Sequence, residues 1–84
     1  MLRIAIVDDH QIVRAGFREM LADELGFVFP FEAASGEEAL QGLREHETDV
    51  LLLDLSLPGQ SGVDVLRVAR QRYAKLRILV LSGF

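Results

Sequence analysis

The sequence predicts one small α/β domain built on a doubly wound parallel sheet. Two observations carry that expectation. Apolar runs of strand length alternate with stretches of helical periodicity, in the order β-α-β-α-β-α-β and with short connections. Short connections between parallel strands imply right-handed helical crossovers. Three of the runs, Ile4-Ala5-Ile6-Val7, Val50-Leu51-Leu52-Leu53 and Ile78-Leu79-Val80-Leu81, are apolar at every position, as strands covered on both faces are.

Taken in order, residues Met1 to Val7 form the first strand. Asp9 or His10 starts the first helix and either side chain is placed to cap it. Its buried stripe is Val13, Phe17, Met20, Leu21 and Leu25, and Gly26 stops it. Phe27-Val28-Phe29-Pro30-Phe31 is the second strand, and its proline assigns it to a sheet edge. The phenylalanines read as core and edge cover. Ser35-Gly36-Glu37-Glu38 is a capping box for the second helix, which turns Ala39, Leu40 and Leu43 inward and ends near His46. The third strand is the Val50–Leu55 run. Ser61-Gly62-Val63-Asp64 opens the third helix, with Val65, Leu66, Ala69 and Tyr73 on its inner side. The fourth strand ends at Ser82-Gly83-Phe84, where the sequence stops, so we expect a domain truncated at residue 84, with an uncovered strand that invites self-association.

Composition sets the outer bounds. Eighty-four residues with half of them apolar suffice for one soluble domain with a modest core. No apolar stretch approaches the roughly 18 residues of a membrane span, and no signal-peptide pattern precedes the first strand. Cysteine is absent, which excludes disulfides and thiolate metal sites. These features point to a cytoplasmic protein. A net charge of −4 gives no electrostatic reason for this segment to bind nucleic acid. Arg67, Arg70, Arg72, Lys75 and Arg77 read as a solvated face, and Arg14 as one of several scattered basic residues.

The chemistry centres on Asp54. A carboxylate at the end of a buried strand is costly unless it is paired, metal-bound or in use, and ligands of open parallel sheets sit at that end of the strands. Asp8 and Asp9 end the first strand on the same side. If strands one and three are neighbours, the three acids share one pocket and need a cation between them. A set of hard oxygens suits Mg²⁺, and the loop Ser56-Leu57-Pro58-Gly59 offers a backbone carbonyl. Asp9 alone would read as a helix cap; beside Asp8 and Asp54 it reads as a ligand. His10 and His46 have no partner at metal spacing and are expected to be surface or capping residues.

Asp8-Asp9 after a β-branched strand, Asp54 to Gly62, and Ser82-Gly83 after the fourth strand together resemble the receiver domain of bacterial two-component response regulators. The resemblance covers the whole chain. Asp8-Asp9-His10 followed by Val13-Arg14-Ala15-Gly16 is similar to the subfamily with a C-terminal helix-turn-helix output domain. The resemblance implies a flavodoxin-like sheet with strand order 2-1-3-4. It implies that Asp54 accepts a phosphoryl group from a sensor histidine kinase. Asp9, Asp54 and the main-chain carbonyl of Ser56 would ligate Mg²⁺, with Asp8 acting through a metal-bound water. Ser82 would be the switch hydroxyl, Gly83 would give the phosphate access, and Pro58 and Gly62 would shape the adjoining loop. DNA would be reached only through an output domain outside this sequence, no membrane is involved, and homo-oligomers are expected. The family's fourth helix, its fifth strand with lysine and switch aromatic, and its fifth helix have no counterpart in these residues.

On this reading the chain is a phosphoacceptor that assists its own modification, and no turnover enzyme. Two alternatives remain. An aspartyl-phosphate hydrolase or transferase usually has an acid two residues after the nucleophile, where this chain has Ser56. The other is a receiver-like module that pairs subunits without phosphorylation. The lack of a Gly-rich phosphate loop after the first strand argues against a nucleotide-binding Rossmann domain.

Overall fold

A computed structural model describes residues 1–23, 26–57 and 61–81. The elements are β1 (Leu2–Val7), α1 (Gln11–Ala22), β2 (Phe27–Val28), β3 (Glu32–Ala33), α2 (Gly36–Glu45), β4 (Val50–Asp54), α3 (Gly62–Arg72) and β5 (Arg77–Leu81). All pairings are parallel, in the order β2-β1-β4-β5, with β3 also on β1. The expected second strand is therefore two short pieces on one edge. They are broken around Pro30, which has no N–H to donate to β1. With β2 and β3 counted as one interrupted strand, the order is the expected 2-1-3-4.

Strand alternation sorts the core into two layers. Ala5, Val7, Leu51 and Leu53 face α2 and α3, where Ala33, Ala39, Leu43, Leu57, Val65 and Ala69 complete a buried cluster. Ile4, Ile6 and Leu52 face the other way and are covered by Phe17, Leu21, Phe27 and Phe29. The second cover is thinner. No α1 residue is fully buried, and the expected stripe is corrected: Phe17 and Leu21 reach the core, whereas Met20 is 71% exposed and Val13 lies at the surface. Only part of a helical stripe can touch a sheet whose own edge strand is short and broken. Leu25 lies outside the described residues.

Caps set the helix starts. Ser35 Oγ accepts the Glu38 N–H at 3.2 Å, while Glu38 reaches back to the Ala34 N–H at 2.9 Å, one residue earlier than in the usual box. Ser61 Oγ accepts the Asp64 N–H at 3.2 Å. Regular α1 ends at Ala22; Gly26 adopts φ 85°, and its carbonyl accepts the Leu2 N–H. On β5, Leu79 and Val80 are 59% and 45% exposed. Among the described residues no helix is long and apolar enough to cross a membrane.

Candidate functional site

The register between β1 and β4 builds the site. Val7 pairs with Leu53, so the next residue of each strand, Asp8 and Asp54, emerges side by side at the C-terminal rim. Both are buried, at 5% and 6% exposure. Such burial demands partners for their oxygens. Asp8 Oδ1 accepts the His10 N–H at 2.8 Å, and Asp54 Oδ1 accepts the Ser56 N–H at 2.9 Å. Each carboxylate is thus steered by an N–H two residues on, which fixes its direction without cancelling its charge.

Asp9 stands beside them, less buried. It is no helix cap: His10 holds that position, and it makes no side-chain cap bond. Instead the His10 ring turns back over the acids, with Nδ1 at 3.0 Å from Asp8 Oδ1 and 2.9 Å from Asp9 Oδ1. The hydrogen bond to Asp8 and the charge of Asp9 push the imidazole above its usual 6.5. His10 is at the surface as expected, yet the expectation that it lacks partners at metal spacing is corrected. Asp8, Asp9, His10 and Asp54 each offer a donor atom, all within 4.8 Å of one another.

The donor set fits a small hard cation. Opposite ligands of Mg²⁺, each at about 2.1 Å, stand about 4.2 Å apart. Closing this cluster to that size asks for shifts of a few tenths of an ångström. Like charges this close gain from a cation what they lose by mutual repulsion.

Two residues beneath the rim make contacts that no linear period shows. Arg14 Nη1 donates to the Asp8 carbonyl at 2.6 Å while its Nε holds Glu32 Oε1 at 3.0 Å, and Arg18 pairs with Glu32 as well. The i, i+6 distance from Asp8 to Arg14 across a strand-to-helix turn carries no periodic signal. Gly62 is the other. A Cβ there would collide with the Leu55 backbone and come within 2.6 Å of the Asp54 carbonyl oxygen. Its hydrogen lets α3 start hard against the strand end, with the Gly62 N–H donating to the Leu55 carbonyl at 3.3 Å.

Of the expected site residues, Asp8, Asp9 and Asp54 come together. Ser56 is exposed two residues beyond Asp54 and contributes its N–H to that carboxylate. Leu81 pairs with Asp54 on the neighbouring strand. Ser82, Gly83, Pro58 and Gly59 lie outside the described residues.

A parallel α/β sheet with three carboxylates gathered where β1 and β4 end defines a receiver-type domain. The chain belongs to the response regulator receiver domain family, which it matches over residues 4–84. It is 38% identical over 82 residues to the response regulator UvrY of Escherichia coli K12, covering 98% of this chain and 38% of that protein. The receiver domain of AraT from Geobacillus stearothermophilus superimposes with a TM-score of 0.91 at 34% identity, covering 99% of this chain and 65% of that one. RcsB from Salmonella enterica serovar Typhimurium, solved bound to the promoter rprA with the phosphomimetic BeF3-, gives 0.88 at 26% identity over 95% of this chain and 42% of that one. The chain thus spans well under half the length of UvrY.

Proposed function

We propose that this chain is the phosphorylation-controlled input module of a two-component system, with Asp54 as phosphoacceptor and a sensor histidine kinase as donor. The convergence of Asp8, Asp9 and Asp54 within 4.8 Å at the end of two buried strands carries this reading. Asp9, Asp54 and the Ser56 carbonyl would hold Mg²⁺ directly, and Asp8 through water. The ion supplies positive charge that offsets repulsion between an anionic carboxylate and an anionic phosphoryl group. The chain's own contribution is placement. The Ser56 N–H fixes one oxygen of Asp54, and burial keeps bulk water from the carboxylate. An Asp54 oxygen forms the new O–P bond as the P–N bond of the donor phosphohistidine breaks, leaving its electron pair on the imidazole nitrogen.

The added charge and acceptor oxygens would draw in the Ser82 hydroxyl and bias the adjoining loop, the event that an output domain reads. A phosphoacceptor, not a turnover enzyme, fits the serine two residues after Asp54. DNA contact would belong to an output domain, as the promoter complex of RcsB illustrates for that protein. Pairing with a second copy is part of this reading, as the RcsB dimers illustrate for that protein, and light scattering of the full-length protein would read it as a dimer.

The test is acid-labile phosphate or beryllofluoride uptake by the full-length protein. Uptake should require a divalent cation and vanish in Asp54→Asn. Undiminished uptake in that variant overturns the assignment.

A further inference from the structure

We propose that His10 is a ligand of the same cation site, a nitrogen donor that makes the rim select borderline cations such as Co²⁺ or Zn²⁺ more strongly than its oxygens alone would. The inference rests on the metal-site reading above and adds a residue to it.

Three observations converge on this imidazole. Its Nδ1 stands 3.0 Å from Asp8 Oδ1 and 2.9 Å from Asp9 Oδ1. Adjacent corners of an octahedron around a cation at about 2.1 Å are about 3.0 Å apart, so Nδ1 and Asp9 Oδ1 already have the spacing of neighbouring ligands. A hydrogen bond has the same length, but one ring nitrogen carries at most one hydrogen. Two carboxylates pointing at a single Nδ1 cannot both be satisfied along its axis, whereas a cation held by Nδ1 and Asp9 leaves Asp8 to accept from a metal-bound water. The ring also has no competing task in the helix: His10 occupies the N-cap position of α1 and makes no side-chain cap bond. Its side chain is 69% exposed, so it can turn its lone pair inward without displacing core residues.

The ligand chemistry then sets the preference. Carboxylates, carbonyls and water suit Mg²⁺, which gains little from imidazole. Nitrogen favours later first-row ions in the order Co²⁺, Ni²⁺ and, beyond copper, Zn²⁺. A rim of three carboxylates and one imidazole is a mixed site, and His10 is its specificity-determining member.

The experiment is calorimetric titration of the full-length protein with Mg²⁺, Co²⁺ and Zn²⁺ at pH 8, for wild type, His10→Ala and His10→Gln. The visible spectrum of bound Co²⁺ is recorded in parallel. Both variants should bind Co²⁺ and Zn²⁺ about tenfold or more weakly, change the Co²⁺ spectrum, and keep their Mg²⁺ affinity. A parallel change for all three ions, or a gain in Mg²⁺ affinity with Co²⁺ unaltered, overturns the proposal; the second result makes the ring a counter-charge that the metal displaces. Asp9→Asn separates this from the underlying reading. Mg²⁺ affinity lost in Asp9→Asn, with Co²⁺ and Zn²⁺ affinity indifferent to His10, leaves the acidic site standing without its nitrogen ligand. Mg²⁺ affinity indifferent to Asp9 removes the site itself.

Discussion

At the N-terminal ends of the strands, Asp49 accepts three hydrogen bonds from Arg3, at 2.8, 3.0 and 3.0 Å, and Glu47 pairs with the same guanidinium. At the C-terminal ends, Asp8 and Asp54 accept backbone N–H groups, and Asp8 and Asp9 share one imidazole. Both rims gather acids, but they answer them differently. An arginine fork matches a carboxylate in charge and shape, so Asp49 becomes a clamp joining β1 to the start of β4. Peptide dipoles orient a carboxylate and leave its charge available to a ligand. A cavity of about 500 Å³ opens at the arginine end, where Arg3, Arg44 and Lys75 face Glu45, Glu47 and Asp49. Those charges cancel, and among the described residues no metal-type donor set converges there. The charges balance at this end, and the opposite rim is the one with an unbalanced charge.

The largest expected effect tests how the acidic rim is held in place. Gly62→Ala forces a Cβ into the Leu55 backbone, which has no rotamer to escape into. We expect a loss of about 3 kcal/mol in urea unfolding, with weakened Mg²⁺ binding as Asp54 shifts. Gly42→Ala places its Cβ against the Phe31 ring instead. That ring is stacked on His46 but can rotate away, so about 1 kcal/mol is expected. Equal losses would mean that the backbone approach beneath Asp54 is no tighter a constraint than an ordinary core contact.

The next effect divides the two rims directly. Asp9→Asn should weaken Mg²⁺ by about tenfold or more while leaving the metal-free unfolding midpoint unchanged or raised, because it relieves like charges. Arg3→Met should do the reverse, lowering the midpoint at unchanged Mg²⁺ affinity. If both variants moved both quantities together, the separation between a structural and a binding rim would fail.

Much of this was legible in the residues themselves. Uninterrupted apolar runs announced central parallel strands, and Asp8, Asp9 and Asp54 stood at their ends, so placing strands one and three side by side brought the acids together. The broken edge strand was less legible, since Phe27 to Phe31 alternates like one strand and only pairing with β1 reveals the gap at Pro30. The α1 stripe misled for a related reason: periodicity names a face but not how much sheet lies opposite it. Met20 has the right spacing and remains exposed. His10, Arg14 and Gly62 act through a reversal of the chain or a close approach between elements. No sequence period encodes either, though a histidine directly after two strand-end aspartates was the available hint.

The smallest effect lies at the arginine rim and is set by pH. Hydrogen bonds from Arg3 hold the Asp49 carboxyl at about 2, below its ordinary 3.8. The folded value lies below the unfolded one, so the charged form stabilises the fold. That contribution is fully present above 3.8 and is lost as pH falls through about 2. Because the pair is partly exposed, salt should shrink it further. Denaturant midpoints followed down through this window should fall less in Asp49→Asn than in wild type, and the difference should narrow at high ionic strength. A variant that loses as much stability to acid as wild type would show that some other carboxylate closes this end of the sheet, and the contrast between the rims would then have to rest on metal affinity alone.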